Sequence, residues 1–344
     1  MSTPSYPCDP AFLITIDTEG DNLWSRPRHI TTENAKYLPR FQSLCEKYSL
    51  RPTYVVNHEM AECPVFREFA TDMLARNAGE IGMHLHAWNS PPLEPLTSDD
   101  MAHQPFLTDY GTAMMRDKIH ALTDSLEEKF NVSMVSHRAG RWAFNATYAR
   151  ILAARGYLVD CSVTPLLSWR KTLGAPQGKG GTDYRGFGAN PYRLDLQDIA
   201  KVGDSNLLEV PMTILPVPGR GVVRVGKAIK TLPGKFTTRI ADRLFPEVQW
   251  LRPNGRNLKD LLRVVDQLER ESRVHAEFML HSSELMPGGS PRFSTTHQIE
   301  TLFEHLEALF IRAARYFCGK TLAEFRAAFL PASNTVSPQG ALPS

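Results

Sequence analysis

Two pairs of side chains have the spacing of a hydrolytic metal site. His84 and His86 are two residues apart, so both imidazoles would lie on one face of a β-strand. Asp17 and Glu19 have the same spacing. Two histidines and one carboxylate, with one position open for water, form a recurrent catalytic zinc site. The acidic pair could supply that carboxylate and, from its other member, a base that takes a proton from water.

The hydrophobic pattern predicts the elements that would bring these pairs together. Short apolar runs, interpreted as strands, lie over residues 11–17, 52–57, 80–86, 133–137, 157–160, 207–213 and 276–281. Amphipathic stretches, interpreted as helices, lie over residues 33–48, 65–77, 109–130, 145–155, 258–270 and 296–317. This alternation predicts an α/β fold whose parallel strands form a closed or nearly closed barrel. Because active sites of such barrels lie at the carboxyl ends of the strands, we expect the polar residues there to converge. They are, in chain order, Asp17, Glu19, Asp21, His84, His86, His137, Arg138, Asp160 and His281.

Four segments of the chain resemble the ordered motifs of a known family. They are residues 14–19 (Ile-Thr-Ile-Asp-Thr-Glu), 80–86 (Glu-Ile-Gly-Met-His-Leu-His), 137–141 (His-Arg-Ala-Gly-Arg) and 279–281 (Met-Leu-His). Together they resemble polysaccharide deacetylases, carbohydrate esterase family 4 with its NodB-homology domain, over about residues 12–317. The resemblance implies a distorted (β/α)7 barrel, a divalent metal that is usually zinc, and hydrolysis of an N-acetyl or O-acetyl group on a sugar.

The resemblance also implies a role for each matching residue. Asp17 would be the general base, Arg138 the partner that orients it, and His281 the acid that protonates the leaving amine. The metal ligands would be Glu19, His84 and His86. Five further side chains near the motifs are candidates for substrate binding, since aromatic faces pack against sugars and polar groups orient them. They are Trp88, Arg141, Trp142, Asp160 and Glu284.

The sequence departs from the family's pattern at several of these positions. Thr18 stands where many members have a metal-binding aspartate, so the next acidic residue would replace it. Trp88 stands where the family often has its second histidine, and the histidine two residues earlier would substitute. Gly140 and Arg141 stand where the family often has a proline and a tyrosine. The backbone N–H of residue 141 would still be available for an oxyanion hole.

Composition excludes several classes of protein. The 344 residues contain 39 Lys and Arg against 37 Asp and Glu, a formal net charge of +2, which is no nucleic-acid-binding signature. No apolar run is long enough for a transmembrane helix, and the first residues lack the basic and apolar regions of a secretory signal. The five cysteines are scattered and never in CxxC spacing, so free thiols are expected. These features predict a cytoplasmic protein.

The predicted domain organisation is one deacetylase-like domain over residues 1–330, followed by a disordered tail over residues 331–344. Insertions lie near residues 166–206 and 219–256. The first is rich in glycine and polar residues, and long loops of this kind in enzymes often bind substrate. The second has nine basic residues against two acidic ones. It predicts either a solvated basic surface or contact with an anionic lipid headgroup or an acidic polymer.

These observations predict a metal-dependent hydrolase that removes an N-acetyl group from a sugar during the assembly of surface polysaccharide or glycolipid. The substrate would be an acetylated saccharide linked to a nucleotide or a lipid, and the basic stretch could contact an anionic membrane surface. Two alternatives stay open. The same barrel could hydrolyse a non-sugar amide, a formamide or a cyclic imide. It could also be an inactive barrel that binds saccharide, since Thr18 and Trp88 depart from the family's ligand pattern.

Overall fold

The computed structural model describes residues 9–216 and 248–330 of the chain. The predicted tail and most of the basic stretch lie outside the described residues, and the division of the chain into one domain and a tail stays a prediction. The strands, in chain order, are β1 (Ala11–Thr18), β2 (Thr53–Val56), β3 (Glu80–Leu85), β4 (Ser136–Ala139), β5 (Val159–Asp160), β6 (Tyr192–Arg193), β7 (Leu208–Glu209), β8 (Ile214–Pro216), β9 (Val248–Trp250), β10 (His275–His281) and β11 (Cys318–Lys320). The α-helices are α1 (Leu38–Lys47), α2 (His58–Glu62), α3 (Pro64–Ala75), α4 (Asp100–His103), α5 (Thr112–Phe130), α6 (Ala146–Arg155), α7 (Leu258–Arg270), α8 (Thr296–Ala313) and α9 (Leu322–Phe329).

A nine-stranded sheet forms the centre of the fold. Seven strands run parallel in the spatial order β10-β1-β2-β3-β4-β5-β7, β6 pairs antiparallel with β7, and β11 pairs with β1. The sheet is curled into a half-barrel, and β8 and β9 form a separate two-stranded antiparallel sheet. The structure therefore confirms the predicted α/β fold with a distorted barrel of seven parallel strands.

Burial explains why the strands appear in the sequence as continuous apolar runs. All eight residues of β1 are buried, as expected of a parallel strand covered on both faces. Helices cover the sheet with one apolar stripe each. In α7 the buried residues recur with helical spacing. They are Leu261, Val264, Val265 and Leu268.

Several boundaries differ from the predicted ones for identifiable reasons. The helix predicted over residues 33–48 is a 3₁₀ segment (Glu33–Tyr37) followed by α1, because Pro39 fits the first turn of an α-helix but not its interior. The strand predicted over residues 207–213 contains only two ladder residues, since Pro211 cannot donate to a neighbouring strand. The short elements β6, β8, β9, β11, α2, α4 and α9 were not predicted, because a few residues give too brief an apolar pattern.

The segment over residues 166–206 is largely irregular. In the structure it contains only β6 and two isolated β-bridges, Ser168↔Asp183 and Leu194↔Val202. Among the described residues, no helix has the length and apolar character needed to cross a membrane.

Candidate active site

The register of the sheet brings the predicted site residues together at the carboxyl ends of the strands. Asp17 at the end of β1 is aligned with His281 at the end of β10. His84 on β3 is aligned with Arg138 on β4. Aligned residues of parallel neighbours present their side chains on the same face of the sheet, so two pairs remote in sequence meet at one edge.

Glu19, His84 and His86 form a compact buried group whose ligand atoms all lie within 4.8 Å of one another. Glu19 Oε2 is 3.2 Å from His86 Nε2 and 3.6 Å from His84 Nε2. The two Nε2 atoms are 2.8 Å apart. Asp17 lies at the margin of this group, with Oδ2 3.9 Å from His84 Nε2. The geometry therefore favours Glu19 over Asp17 as the carboxylate ligand.

The surroundings of these side chains fit a divalent metal. His84 Nδ1 is 2.9 Å from the carbonyl oxygen of Arg138, so an Nδ1–H donated there leaves the Nε2 lone pair facing Glu19 and His86. This backbone contact to the outer nitrogen is usual for metal-binding histidines. Nδ1 of His86 is buried and has no hydrogen-bond partner among the described residues. Two imidazole nitrogens and one carboxylate oxygen are the donor set of many catalytic zinc sites.

The charge states of the three side chains also suit a cation. Burial would raise the pKa of Glu19, but His281 and hydrogen bonds from His84 and His86 hold it well below its usual value. Burial lowers the pKa of His86 to about 4, so this imidazole is neutral near pH 7. Burial also lowers the pKa of His84, but Asp17 and Glu19 outweigh it and the pKa is raised. A metal would therefore displace a proton mainly from His84.

Asp17 lies beside this group and is held by Arg138. Asp17 Oδ1 is 2.5 Å from Arg138 Nη1, and Arg138 Nη2 is 2.6 Å from Glu277 Oε1. Burial would raise the pKa of Asp17, but the Arg138 guanidinium lowers it below the usual range. Asp17 is thus ionised near neutral pH, with Oδ2 3.6 Å from His281 Nε2. An ionised carboxylate and an imidazole therefore lie side by side in the pocket.

His281 is held from its other side by two charged residues. His281 Nδ1 lies 3.1 Å from Glu284 Oε2 and 2.9 Å from Arg252 Nη2. Glu284 also accepts a hydrogen bond from the backbone N–H of His281 at 3.0 Å. The Nε2 atom of the ring consequently faces Asp17 and Glu19, at 3.6 Å from Asp17 Oδ2 and 3.8 Å from Glu19 Oε1.

These groups open into a pocket of about 230 Å³ with aromatic walls. Its tryptophan lining comes from four separate segments of the chain, namely Trp24, Trp88, Trp142 and Trp169. The ring of Trp24 packs edge-on against His281, with centroids 4.8 Å apart. Trp169 belongs to the insertion near residues 166–206, which therefore contributes to the pocket as a substrate-binding loop would. Apolar faces around a polar floor suit a sugar ring.

The turn after β4 shows why the third motif contains a glycine at position 140. A Cβ at Gly140 would lie 2.3 Å from the carbonyl oxygen of Leu85 and 2.8 Å from Cδ2 of His86. The next two residues, Arg141 and Trp142, have φ values of 53° and 62°, a left-handed backbone that costs free energy for such side chains. This close turn places residues 141 and 142 at the pocket wall.

Most of the predicted site residues line the pocket, and the others are buried beside it. The pocket is lined by Asp17, Glu19, His84, His86, Trp88, Arg141, Trp142 and His281. Arg138 is fully buried behind Asp17, where an orienting partner is expected.

Two residues predicted to bind substrate, Asp160 and Glu284, are not among those that line the pocket. Asp160 is fully buried, and its Oδ1 is 2.5 Å from His137 Nδ1. Glu284 is also buried, and it binds His281 and Arg252 rather than an open surface.

Four residues near the reacting groups were missed by sequence reasoning. Trp24 and Arg252 line the pocket, while Thr15 and Glu277 contact Arg138 below it. Glu277 could have been identified from the sequence, because a charged residue inside an apolar strand is costly to bury unless it has a partner. Trp24 follows the first motif by only five residues. The position of Arg252 depends on the β8–β9 sheet, which was not predicted.

Two solved structures have folds similar to this chain. A putative polysaccharide deacetylase from Mycobacterium smegmatis matches with a TM-score of 0.52 and 15% identity, covering 96% of this chain and 92% of that chain. A putative glycoside hydrolase/deacetylase from Parabacteroides distasonis matches with a TM-score of 0.57 and 9% identity, covering 95% and 72%. No protein-family model and no curated protein sequence matches the chain. The fold is thus that of the polysaccharide deacetylases, and the fold implied by the four motifs is confirmed.

Proposed function

We propose that this protein is a metal-dependent hydrolase that removes an N-acetyl group from a sugar. The observation that carries the proposal is the juxtaposition of three parts at one pocket. These are the Glu19–His84–His86 group, the Asp17–Arg138 pair, and the imidazole of His281. The first part fits a divalent metal, for which zinc is the expected ion, and the other two supply a base and an acid.

The side chains divide the proposed reaction between them. Asp17, kept ionised by Arg138, takes a proton from water as it attacks the acetyl carbonyl. His281 delivers a proton to the amine nitrogen as the carbon–nitrogen bond breaks. A bound divalent ion would supply Lewis-acid polarisation and a lowered pKa for water. The backbone N–H of Arg141, at the tight turn after β4, is the proposed donor to the developing oxyanion.

The aromatic walls favour a saccharide among possible acetylated substrates. Trp142 and Trp169 are nearly parallel, with an interplanar angle of 15° and centroids 6.5 Å apart. Broad indole faces pack against the apolar C–H faces of sugars while the hydroxyl groups remain free for hydrogen bonds. We propose a substrate used in surface-polysaccharide or glycolipid assembly, linked to a nucleotide or a lipid.

A cytoplasmic location is proposed with this substrate. It is supported by the four described cysteines, which are all free thiols, three of them buried. Contact of the basic stretch with an anionic membrane surface is proposed from its charge alone. Sedimentation with vesicles of anionic or neutral lipid tests it, and equal binding to both would contradict it.

Metal analysis of the purified protein tests the proposed function first. We expect about one zinc per chain in the wild type and loss of that ion in His84→Ala and His86→Ala. His120→Ala, on the exposed surface of α5, is the matched control and should keep the metal. A wild type that takes up no divalent metal after reconstitution would instead indicate an inactive saccharide-binding barrel.

The reaction is then tested by acetate release from N-acetylhexosamines that are free, nucleotide-linked or lipid-linked. We expect release by the zinc-loaded wild type and its loss in Asp17→Asn, since an amide cannot act as the base. Formate release or ring opening of a cyclic imide, without acetate release, would move the assignment to a non-sugar amidase.

A further inference from the structure

We infer that Arg252 is a positioning residue for His281, which it holds together with Glu284 so that Nε2 faces the leaving amine. The inference rests on the proposed function, in which His281 is the proton donor. Neither Arg252 nor its contact with Glu284 belongs to the four sequence motifs. The residue lies in the described end of the second insertion, just after β9.

The contacts converge on a single carboxylate oxygen. Glu284 Oε2 lies 3.1 Å from His281 Nδ1, 3.0 Å from the backbone nitrogen of His281, and 3.0 Å from Arg252 Nη2. Arg252 Nη2 is also 2.9 Å from His281 Nδ1, but a guanidinium nitrogen only donates. When the imidazole carries a proton on both nitrogens, as the acid must, its Nδ1–H therefore donates to Glu284. Because the backbone N–H of the same residue binds the same oxygen, these two bonds fix the plane of the ring. The opposite nitrogen, Nε2, is then directed at the pocket.

Arg252 makes this carboxylate available as an acceptor. The side chain of Glu284 is 1% exposed, and an unpaired buried carboxylate would take up a proton and lose acceptor strength. Burial by itself raises the pKa of Glu284, but Arg252 and His281 hold it at about 2. Arg252 therefore keeps Glu284 ionised, so that Glu284 can accept the Nδ1–H of His281.

The backbone around Arg252 is tied to the strand that carries His281. Leu251 accepts a hydrogen bond from the backbone N–H of Met279, two residues before His281, and donates one to Thr213. The carbonyl oxygen of Arg252 accepts a hydrogen bond of 2.9 Å from Asn257 Nδ2. These contacts link the β8–β9 sheet to β10 and fix the place from which the guanidinium reaches His281.

Two substrates with different leaving groups separate positioning of the acid from a general structural role. The amine of an N-acetylhexosamine must be protonated to leave, whereas the phenolate of 4-nitrophenyl acetate leaves without a proton. In Arg252→Gln we expect kcat for the amide to fall by about 10-fold or more, within the roughly 10²–10⁴-fold that a general acid contributes. Aryl acetate hydrolysis should change by less than about 3-fold, since the other groups are intact. Arg252→Lys should restore part of the lost amide activity.

Arg256→Gln is the matched control, because Arg256 is exposed and lines a different cavity. It should leave both activities unchanged. Equal loss of both activities in a folded Arg252→Gln protein would overturn the inference, as would an unchanged amide activity. If Arg252→Gln does not fold, the two activities are compared in Arg252→Lys instead. The loss of amide hydrolysis should then be smaller, but it should still exceed the loss of aryl acetate hydrolysis.

A spectroscopic measurement tests the positioning when no acetylated sugar proves to be a substrate. The Hδ1 proton of His281, assigned by its absence in His281→Asn, should give a downfield NMR resonance in the wild type because it binds a carboxylate. That resonance should be lost in Arg252→Gln and kept in Arg256→Gln. Its persistence in Arg252→Gln would overturn the inference, whatever the fate of the proposed function.

Discussion

Replacing Glu277 with glutamine is expected to remove a large part of the pH dependence of folding stability. Glu277 lies below the pocket and is fully buried, with Oε1 2.6 Å from Arg138 Nη2 and 3.1 Å from Thr15 Oγ1. Its Oε2 has no hydrogen-bond partner among the described residues. Burial raises the pKa of Glu277 to about 8, although Arg138 and Thr15 oppose the change.

The sign and size of the effect follow from linkage. A carboxyl group whose pKa is higher in the folded state stabilises that state fully only below its unfolded pKa. This contribution is lost as pH rises through about 8. A tenfold change in proton affinity between the folded and unfolded states corresponds to about 1.4 kcal/mol, so Glu277 should cost the wild type about 3 kcal/mol of unfolding free energy between about pH 5.5 and pH 8. Glutamine has no proton to lose, and its carbonyl oxygen can still accept from Arg138.

Urea unfolding of the metal-free proteins, followed by circular dichroism across this pH range, measures the difference in unfolding free energy between Glu277→Gln and the wild type. The stability of Glu277→Gln relative to the wild type should rise by about 3 kcal/mol towards pH 8. Glu304→Gln, on the exposed side of α8, should follow the wild type within about 0.5 kcal/mol. Parallel loss of stability in Glu277→Gln and the wild type would refute the reasoning, since Glu277 would then be ionised throughout.

Three further predictions concern the pocket. Gly140→Ala should destabilise the protein by about 1–3 kcal/mol and weaken zinc binding, because the added Cβ would clash with Leu85 and His86. Thermal melting measures the loss of stability, and a zinc titration measures the loss of affinity. Zinc affinity should fall as pH decreases, because metal and proton compete for the His84 ring, whose pKa is raised. Below that pKa the affinity should fall by about tenfold per pH unit, and chelator competition at several pH values measures this dependence. Trp24→Ala should raise KM for the saccharide and change the melting temperature little, because this side chain is 41% exposed at the pocket; an unchanged KM would exclude Trp24 from substrate contact.

The central part of the site could be predicted because strand ends in a parallel barrel converge. Asp17 and His281 are 264 positions apart, yet both end apolar runs, and the register places them side by side. The i, i+2 spacing also identified His84 and His86 as neighbours on one face. Hydrophobic periodicity and the alternation of side chains were sufficient for these residues.

The same reasoning did not locate Asp160, which also ends a strand but does not line the pocket. Successive side chains of a strand point to opposite faces of the sheet. A residue at the end of a strand therefore reaches the pocket only if its position in the alternation places its side chain on the pocket face. In β5 the side chain of Asp160 lies on the other face, where it contacts His137 instead of the pocket. Arg252 was beyond prediction for another reason. It reaches His281 from a short sheet outside the barrel, and contacts between such segments depend on tertiary packing that no local pattern records.

The chain has five tryptophans, and all of them belong to the pocket or its wall. Trp250 packs on Trp142 with centroids 5.6 Å apart, and the other four line the cavity. The intrinsic tryptophan fluorescence of this protein is therefore an optical signal from this pocket alone. A ligand that enters the pocket, or a quenching ion such as Cu²⁺ or Co²⁺ at the Glu19–His84–His86 group, should change the emission without any label. Unlabelled saccharides can thus be screened by titration before their products are known.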